Sequence, residues 1–207
     1  MRFEVKFLLT EYGGKAITRK ELSEIALTLG ITDFDEWREY LLKRGYLIKG
    51  ISGIYYVKTP GERLIGTAST FKIVSTVMEK LTENWYFGLY TALRLNGLTQ
   101  EYYSTIYVIN SKLTRSRPVK INGTPVMFVR MKEPLFKLGI ERVGGLELKT
   151  SDPEKTLLDF LYLSRYGTVS RETAERVFRT YLPQTDRRKL LSYVQVYPLS
   201  LRKEVEQ

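Results

Sequence analysis

The chain has 207 residues, a formal charge of +10, no cysteine and no histidine. Those two absences exclude disulfides, thiolate or imidazole metal sites, cysteine nucleophiles and a histidine general base, so any chemistry would rest on Asp, Glu, Lys, Ser or Tyr. The start MRFEVKFLL is too charged for a signal peptide and no run is long and apolar enough to cross a bilayer, which predicts a cytoplasmic protein without a membrane partner.

The positive excess favours an acidic partner or nucleic acid. It is uneven: residues 1–60 hold ten Lys and Arg against eight Asp and Glu, 61–150 thirteen against seven, and 151–207 ten against eight. The lack of Cys beside abundant Lys, Arg, Glu and Tyr leans towards a thermophile.

In chain order, a helix is expected from about Phe3 to Tyr12. ITRKELSEIALTLG then spells a second one. Thr18 and Glu21 form a capping box, Ile17 and Leu22 take the staple positions, and Leu22, Ile25, Ala26 and Leu29 make one apolar stripe. Gly30 closes it in a left-handed conformation. After a turn of Gly30, Ile31 and Thr32, Asp33 caps a third helix that buries Phe34, Trp37 and Leu41 and ends at Gly45. Two helices joined by so short a glycine turn read as a helix-turn-helix. Tyr46–Lys49, the loop Gly50-Ile51-Ser52-Gly53 and Ile54–Val57 then read as a β-hairpin, completing a winged helix. Thr59-Pro60-Gly61 reads as the linker out.

A winged helix predicts DNA binding with the Asp33–Arg44 helix in the major groove; the alternative is a module that only contacts protein. The candidate DNA contacts are Arg19 and Lys20 at the second helix start, Arg38, Lys43 and Arg44 on the third, Lys49 on the hairpin and Ser52 at its tip. Asp33, Asp35, Glu36 and Glu39 oppose phosphate, so affinity per protomer should be modest and raised by a homodimer or paired sites.

Further on, Ser69–Leu81 reads as a helix. Another is expected from Asn84, carrying Trp85, Leu89, Ala92 and Leu93, and stopping at Asn96-Gly97. Thr105–Ile109 reads as a strand. Pro118–Ile121 and Val126–Met131 flank the hairpin turn Asn122-Gly123, and Leu146–Lys149 reads as a further strand. Ser151 and Glu154 form a capping box with Pro153 in the first turn, opening a long helix with Leu157, Leu158, Leu161 and Tyr162 on its buried side. Ser170 starts another helix, ending before Pro183, and Thr185 caps a last one. The fold class is therefore α+β: an N-terminal winged helix-turn-helix over residues 1–60, then a mixed α/β domain with an antiparallel sheet over 61–207.

The second domain shows no phosphate-binding glycine loop and no G-x-S-x-G. No catalytic residue, metal ligand or cofactor is assigned. Glu147-x-Lys149, with Glu141 or Asp152 nearby, is similar to the E-x-K of metal-dependent nucleases, although an exposed alternating strand gives the same pattern. Asp159, among leucines, should be paired inside, with an arginine as the expected partner; a catalytic acid is the alternative. Lys112, Arg115, Arg117 and Lys120, with Arg94 on the preceding helix and Arg130 on the following strand, form a basic cluster. It is either a solvated loop or a docking surface for an acidic partner or for DNA backbone.

The spacing of Leu41, Gly45, Leu47, Gly53 and Tyr55 resembles the N-terminal winged helix of AbiEi-type antitoxins. WYFGLYTALRLNGLT at Trp85–Thr99, TIYVIN at Thr105–Asn110 and TSDPEKTLLDFL at Thr150–Leu161 resemble that family's C-terminal domain, with SDPEKTLLD the most specific string. The resemblance implies a transcriptional repressor of its own operon, acting on operator DNA. It also implies the antitoxin of a type IV toxin–antitoxin pair, set against a nucleotidyltransferase-like toxin, with DNA served by the winged-helix positions and antitoxicity by Trp85–Leu161. The acidic TDFDEW segment departs from what DNA binding would favour.

Overall fold

The computed structural model describes residues 2–206. They fall into two compact units: one takes the chain to Glu83 together with 120–123, the other takes Asn84–Val119 and the chain from Thr124 onwards. The chain is a mixed α/β protein, and no helix among the described residues is long and apolar enough to cross a membrane.

The first unit runs α1 (Phe3–Tyr12), β1 (Ala16–Thr18), α2 (Arg19–Thr28), α3 (Phe34–Lys43), β2 (Leu47–Lys49), β3 (Ile54–Val57), α4 (Pro60–Ile65) and α5 (Thr70–Leu81). The strands form a sheet in the order β1-β3-β2 with both pairings antiparallel. Its core joins Val5, Leu8 and Leu9 of α1 to Leu22, Ile25 and Ala26 of α2, Trp37 and Leu41 of α3, and Ile17, Leu47, Tyr55 and Val57 of the strands. The local signals act as read. Thr18 and Glu21 form a reciprocal capping box, the Asp33 carboxylate accepts from the Glu36 amide at 2.8 Å, and Gly30 and Gly45 both take positive φ.

One local reading is corrected. Thr59-Pro60-Gly61 is no linker: Thr59 caps α4 through a second capping box with Glu62, and Pro60 fits the first turn because no amide is needed there. The first unit therefore continues past residue 60. Ile73, Val74, Val77 and Met78 of α5 are buried, and the helix packs on β3 and β1. Glu62 also accepts from the buried Tyr56 hydroxyl at 2.8 Å and pairs with Lys72 at 3.0 Å, which ties β3, α4 and α5 together.

The second unit contains β4 (Trp85–Phe87), α6 (Leu89–Leu95), β5 (Ile106–Asn110), β7 (Thr124–Arg130), β8 (Ile140–Val143), β9 (Leu148–Ser151), α7 (Pro153–Ser164), α8 (Arg171–Tyr181), α9 (Arg187–Tyr193) and α10 (Leu199–Glu206); β6 (Val119–Ile121) pairs onto the same sheet but groups with the first unit from Lys120 on. The strand order is β6-β7-β5-β4-β9-β8. The sheet is mixed, where an antiparallel one was expected: β4 with β5 and β8 with β9 are antiparallel, but β5 with β7 and β4 with β9 are parallel. The Asn122-Gly123 turn has positive φ at both residues, as a tight hairpin requires. The segment after Asn110 and β6 carry the chain back before that turn, so β7 enters beside β5 in the same direction.

Trp85–Phe87 is a strand, not the start of the helix expected there, and α6 begins only at Leu89. All three residues are buried, because β4 lies between β5 and β9 and its aromatic side chains are covered on both faces. Asp152 caps α7 in place of Ser151, whose hydroxyl lies 2.8 Å from Thr156 at the end of β9, and Asp186 caps α9 in place of Thr185. β8 and α10 had no expected counterpart. α7 is the central helix: every residue from Glu154 to Leu163 is buried.

Candidate functional site

Of the exposed cations of the first unit, Arg19 and Lys20 lie on α2, Lys43 and Arg44 at the end of α3 and Lys49 on the β2–β3 hairpin, while Lys6, Lys15 and Lys80 lie on or beside α1 and α5. The hairpin loop begins at Gly50, where an added Cβ would lie 2.8 Å from the Ile54 carbonyl oxygen and 2.9 Å from Val77. Its tip turns through Ser52 (φ +55) and Gly53 (φ +74). The Arg19 amide donates to the Gly53 carbonyl at 2.8 Å, so the tip is fastened to the first residue of α2.

Arg19 and Arg38 are exposed and half-buried respectively, but both are engaged. The Asp35 carboxylate lies 2.9 Å from each guanidinium, and Arg38 also pairs with Glu39 at 2.9 Å. The two arginines flank the Phe34 ring at 5.7 and 6.0 Å. The hydrogen bond to Glu39, more than any other cause, raises the Arg38 pKa above its ordinary value. Two of the four carboxylates of α3 and its cap, Asp35 and Glu39, are thus neutralised from within, at the expense of two of the expected DNA contacts. Lys20 stands 3.8 Å from Glu24, a loose surface pair. Lys43, Arg44, Lys49 and Ser52 are exposed, and the first three form no ion pair among the described residues.

The basic loop of the second unit is built on one buried side chain. Asn110 Oδ1 accepts from the Lys112 and Leu113 amides at 3.0 and 2.7 Å, and its Nδ2 donates to the Leu113 and Val129 carbonyls at 2.9 and 3.2 Å. Such an Asx turn fixes the loop's exit from β5. Lys112, Arg115 and Arg117 stand exposed along it, and the Arg130 Nε donates to the Ser111 carbonyl at 3.2 Å. Arg94 does not join them. It covers the Tyr102 ring at 5.3 Å, before the amino end of β5, whereas the loop leaves the carboxyl end. Lys120 is exposed on β6, in the part of the chain that groups with the first unit.

The E-x-K residues do not form a shared acidic pocket. Glu147 sits in a turn at φ +50, and the Lys149 ammonium lies 5.9 Å from the centre of the Trp85 ring. Glu141, Asp152 and Glu154 instead surround the Lys189 ammonium at 3.6, 3.0 and 3.1 Å. Burial alone would lower the Lys189 pKa, but its hydrogen bonds to Asp152 and Glu154 carry it above the ordinary lysine value. No cluster of His, Cys, Asp or Glu suited to a metal ion occurs among the described residues.

Asp159 is fully buried and partnered as expected, though by a lysine one turn earlier and not by an arginine. It accepts from Tyr197 at 2.6 Å and Tyr86 at 2.7 Å, and Lys155 Nζ lies 3.3 Å away. Lys155 also donates to the Leu135 carbonyl at 2.8 Å. Burial pushes the lysine pKa down and the aspartate pKa up, each towards its neutral form. The string SDPEKTLLD is therefore interior: Asp152 caps α7, Glu154 accepts from the Asp186 amide at 2.8 Å, and Lys155 meets Asp159.

No protein-family model matches the chain, and no curated protein does. Among solved structures it is similar to the crystal structure of the RV2827C protein from Mycobacterium tuberculosis. The two are 14% identical with a TM-score of 0.56, over 97% of this chain and 73% of that one. At that identity the likeness concerns the fold alone.

Proposed function

We propose that the protein is a DNA-binding transcriptional repressor and the antitoxin of a type IV pair of the AbiEi type. It would autoregulate its operon in the cytoplasm and counteract a nucleotidyltransferase-like toxin, without enzymatic activity of its own. In this reading residues 1–60 act as a winged helix, α3 is the recognition helix, the β2–β3 hairpin is the wing, and the rest of the chain serves antitoxicity. The observation that carries it is the hairpin tip fastened beside α2, with Lys43, Arg44 and Lys49 exposed and in no ion pair among the described residues. Helix-turn-helix modules present such groups to phosphates on either side of a groove. A homodimer on inverted repeats would compensate for the few free cations per protomer.

The exposed Lys112, Arg115 and Arg117 support a docking role towards an acidic partner surface. A second reading, a winged helix that contacts only protein, is favoured by one observation: Arg19 and Arg38 are already committed to Asp35 and Glu39.

Mobility shift with the DNA upstream of the protein's own gene, in a salt series, separates the two. The repressor reading expects specific retardation that weakens steeply with salt and is lost on Lys43→Glu with Arg44→Glu. No specific retardation at low salt removes the DNA half. For antitoxicity, co-expression with the neighbouring toxin should restore growth, and Lys112→Glu, Arg115→Glu and Arg117→Glu together should reduce that rescue.

A further inference from the structure

The parallel strands β5 and β7 end side by side at Asn110 and Arg130. The segments leaving them bound a cleft of about 600 Å3, lined by Ser111 after β5, by Arg130, Met131, Lys132, Glu133 and Pro134 around the end of β7, and by Tyr162 and Tyr166 of α7 and the residues just beyond it. The carboxyl edge of neighbouring parallel strands is where ligands commonly sit, because connecting segments part there and leave a crevice. The volume falls within the range of small-molecule sites.

The lining has two chemistries. One is cationic: Arg130 and Lys132 are exposed and form no ion pair among the described residues, and Arg130 is oriented by its bond to the Ser111 carbonyl. Glu133 is the sole carboxylate of the lining, so positive charge prevails. The other is flat and apolar. Tyr166 is 63% exposed, its ring tilted 57° to that of the buried Tyr162 with centroids 5.1 Å apart, and Met131 and Pro134 complete that side.

We propose that this cleft binds a mononucleotide, with phosphate on Arg130 and Lys132 and the base against Tyr166. A guanidinium beside an ammonium suits phosphate oxygens, and an open aromatic face suits a base of any sequence. A bare phosphate would leave the tyrosine side and most of the volume unused. An extended peptide would want a strand edge to pair with, and β5 and β7 are both interior strands. This ligand goes beyond the repressor and antitoxin reading and needs neither DNA nor toxin for its test.

Isothermal titration of the full-length protein at low salt, with ATP, GTP, CTP and UTP in turn, tests it, with inorganic tripolyphosphate and the parent nucleosides as controls. The nucleotides should bind, and more tightly than either control. Arg130→Ala with Lys132→Ala should weaken binding about tenfold or more. Tyr166→Ala should weaken it about fivefold, whereas Tyr166→Phe should not. Glu133→Gln should tighten it, because a repelling charge is removed. Absence of binding at about 1 mM nucleotide overturns the proposal. So does tripolyphosphate binding as tightly as nucleotide with Tyr166→Ala without effect. Should the double variant melt early, the exposed Tyr166 and Glu133 variants decide alone.

Discussion

Asp35 restrains two arginines, and that makes it an informative single residue under the repressor reading. Asp35→Asn removes a charge that repels phosphate and releases Arg19, while Arg38 keeps its pair with Glu39 and Asp33 keeps the helix cap. The expected outcome is tighter operator binding and a salt slope steeper by about one phosphate contact, read from mobility shifts across salt. Lys155 shows the opposite case, a charge whose removal harms. Lys155→Met leaves Asp159 ionisable in the interior without its cation, and loss of one partner of a buried pair costs about 3–5 kcal/mol. Urea denaturation should show that loss, and Lys155→Met with Asp159→Asn, which removes the unpaired charge but keeps an acceptor for Tyr86 and Tyr197, should recover part of it. That Asp159 is partnered was legible, since a carboxylate among leucines has to be. Its partner was expected to be an arginine, although Lys155 stands one helical turn away in the same string.

At the scale of elements, helix starts in the first unit could be read because a cap is decided within four residues, as at Thr18 and Glu21. Where two oxygen acceptors are neighbours, local logic is not enough. Ser151 and Asp152 could both cap α7, and the strand register decides by holding Ser151 in β9. Trp85–Phe87 was read with the wrong period because a strand covered on both faces shows no alternation. The latch at Glu62 lends itself to a pH test. Burial would raise its pKa, but the Thr59 amide and the Lys72 and Tyr56 side chains bring it below the usual 4.5. A carboxyl with a depressed folded pKa contributes fully above its unfolded value and loses that contribution as pH falls through the folded one. Thermal melting of the protein should therefore drop as pH is lowered below about 4.5, and Glu62→Gln should be lower at neutral pH but flatter across that window.

For the whole molecule, a charge of +10 predicts non-specific association with any duplex at low salt, so only the part of binding that survives competitor DNA speaks for an operator. With excess competitor, operator retardation should persist and retardation of unrelated DNA should vanish. The positions of the exposed cations were legible from composition. Their engagement was not, because Arg19 meets Asp35 only once α2 and α3 are packed, and the cleft beside Arg130 exists only once β5 and β7 lie parallel. The most distinctive string of the chain, SDPEKTLLD, faces the interior. A change within those nine letters therefore unsettles the frame before it alters anything a visitor could touch, so whatever this chain meets is to be sought among its outward-facing side chains.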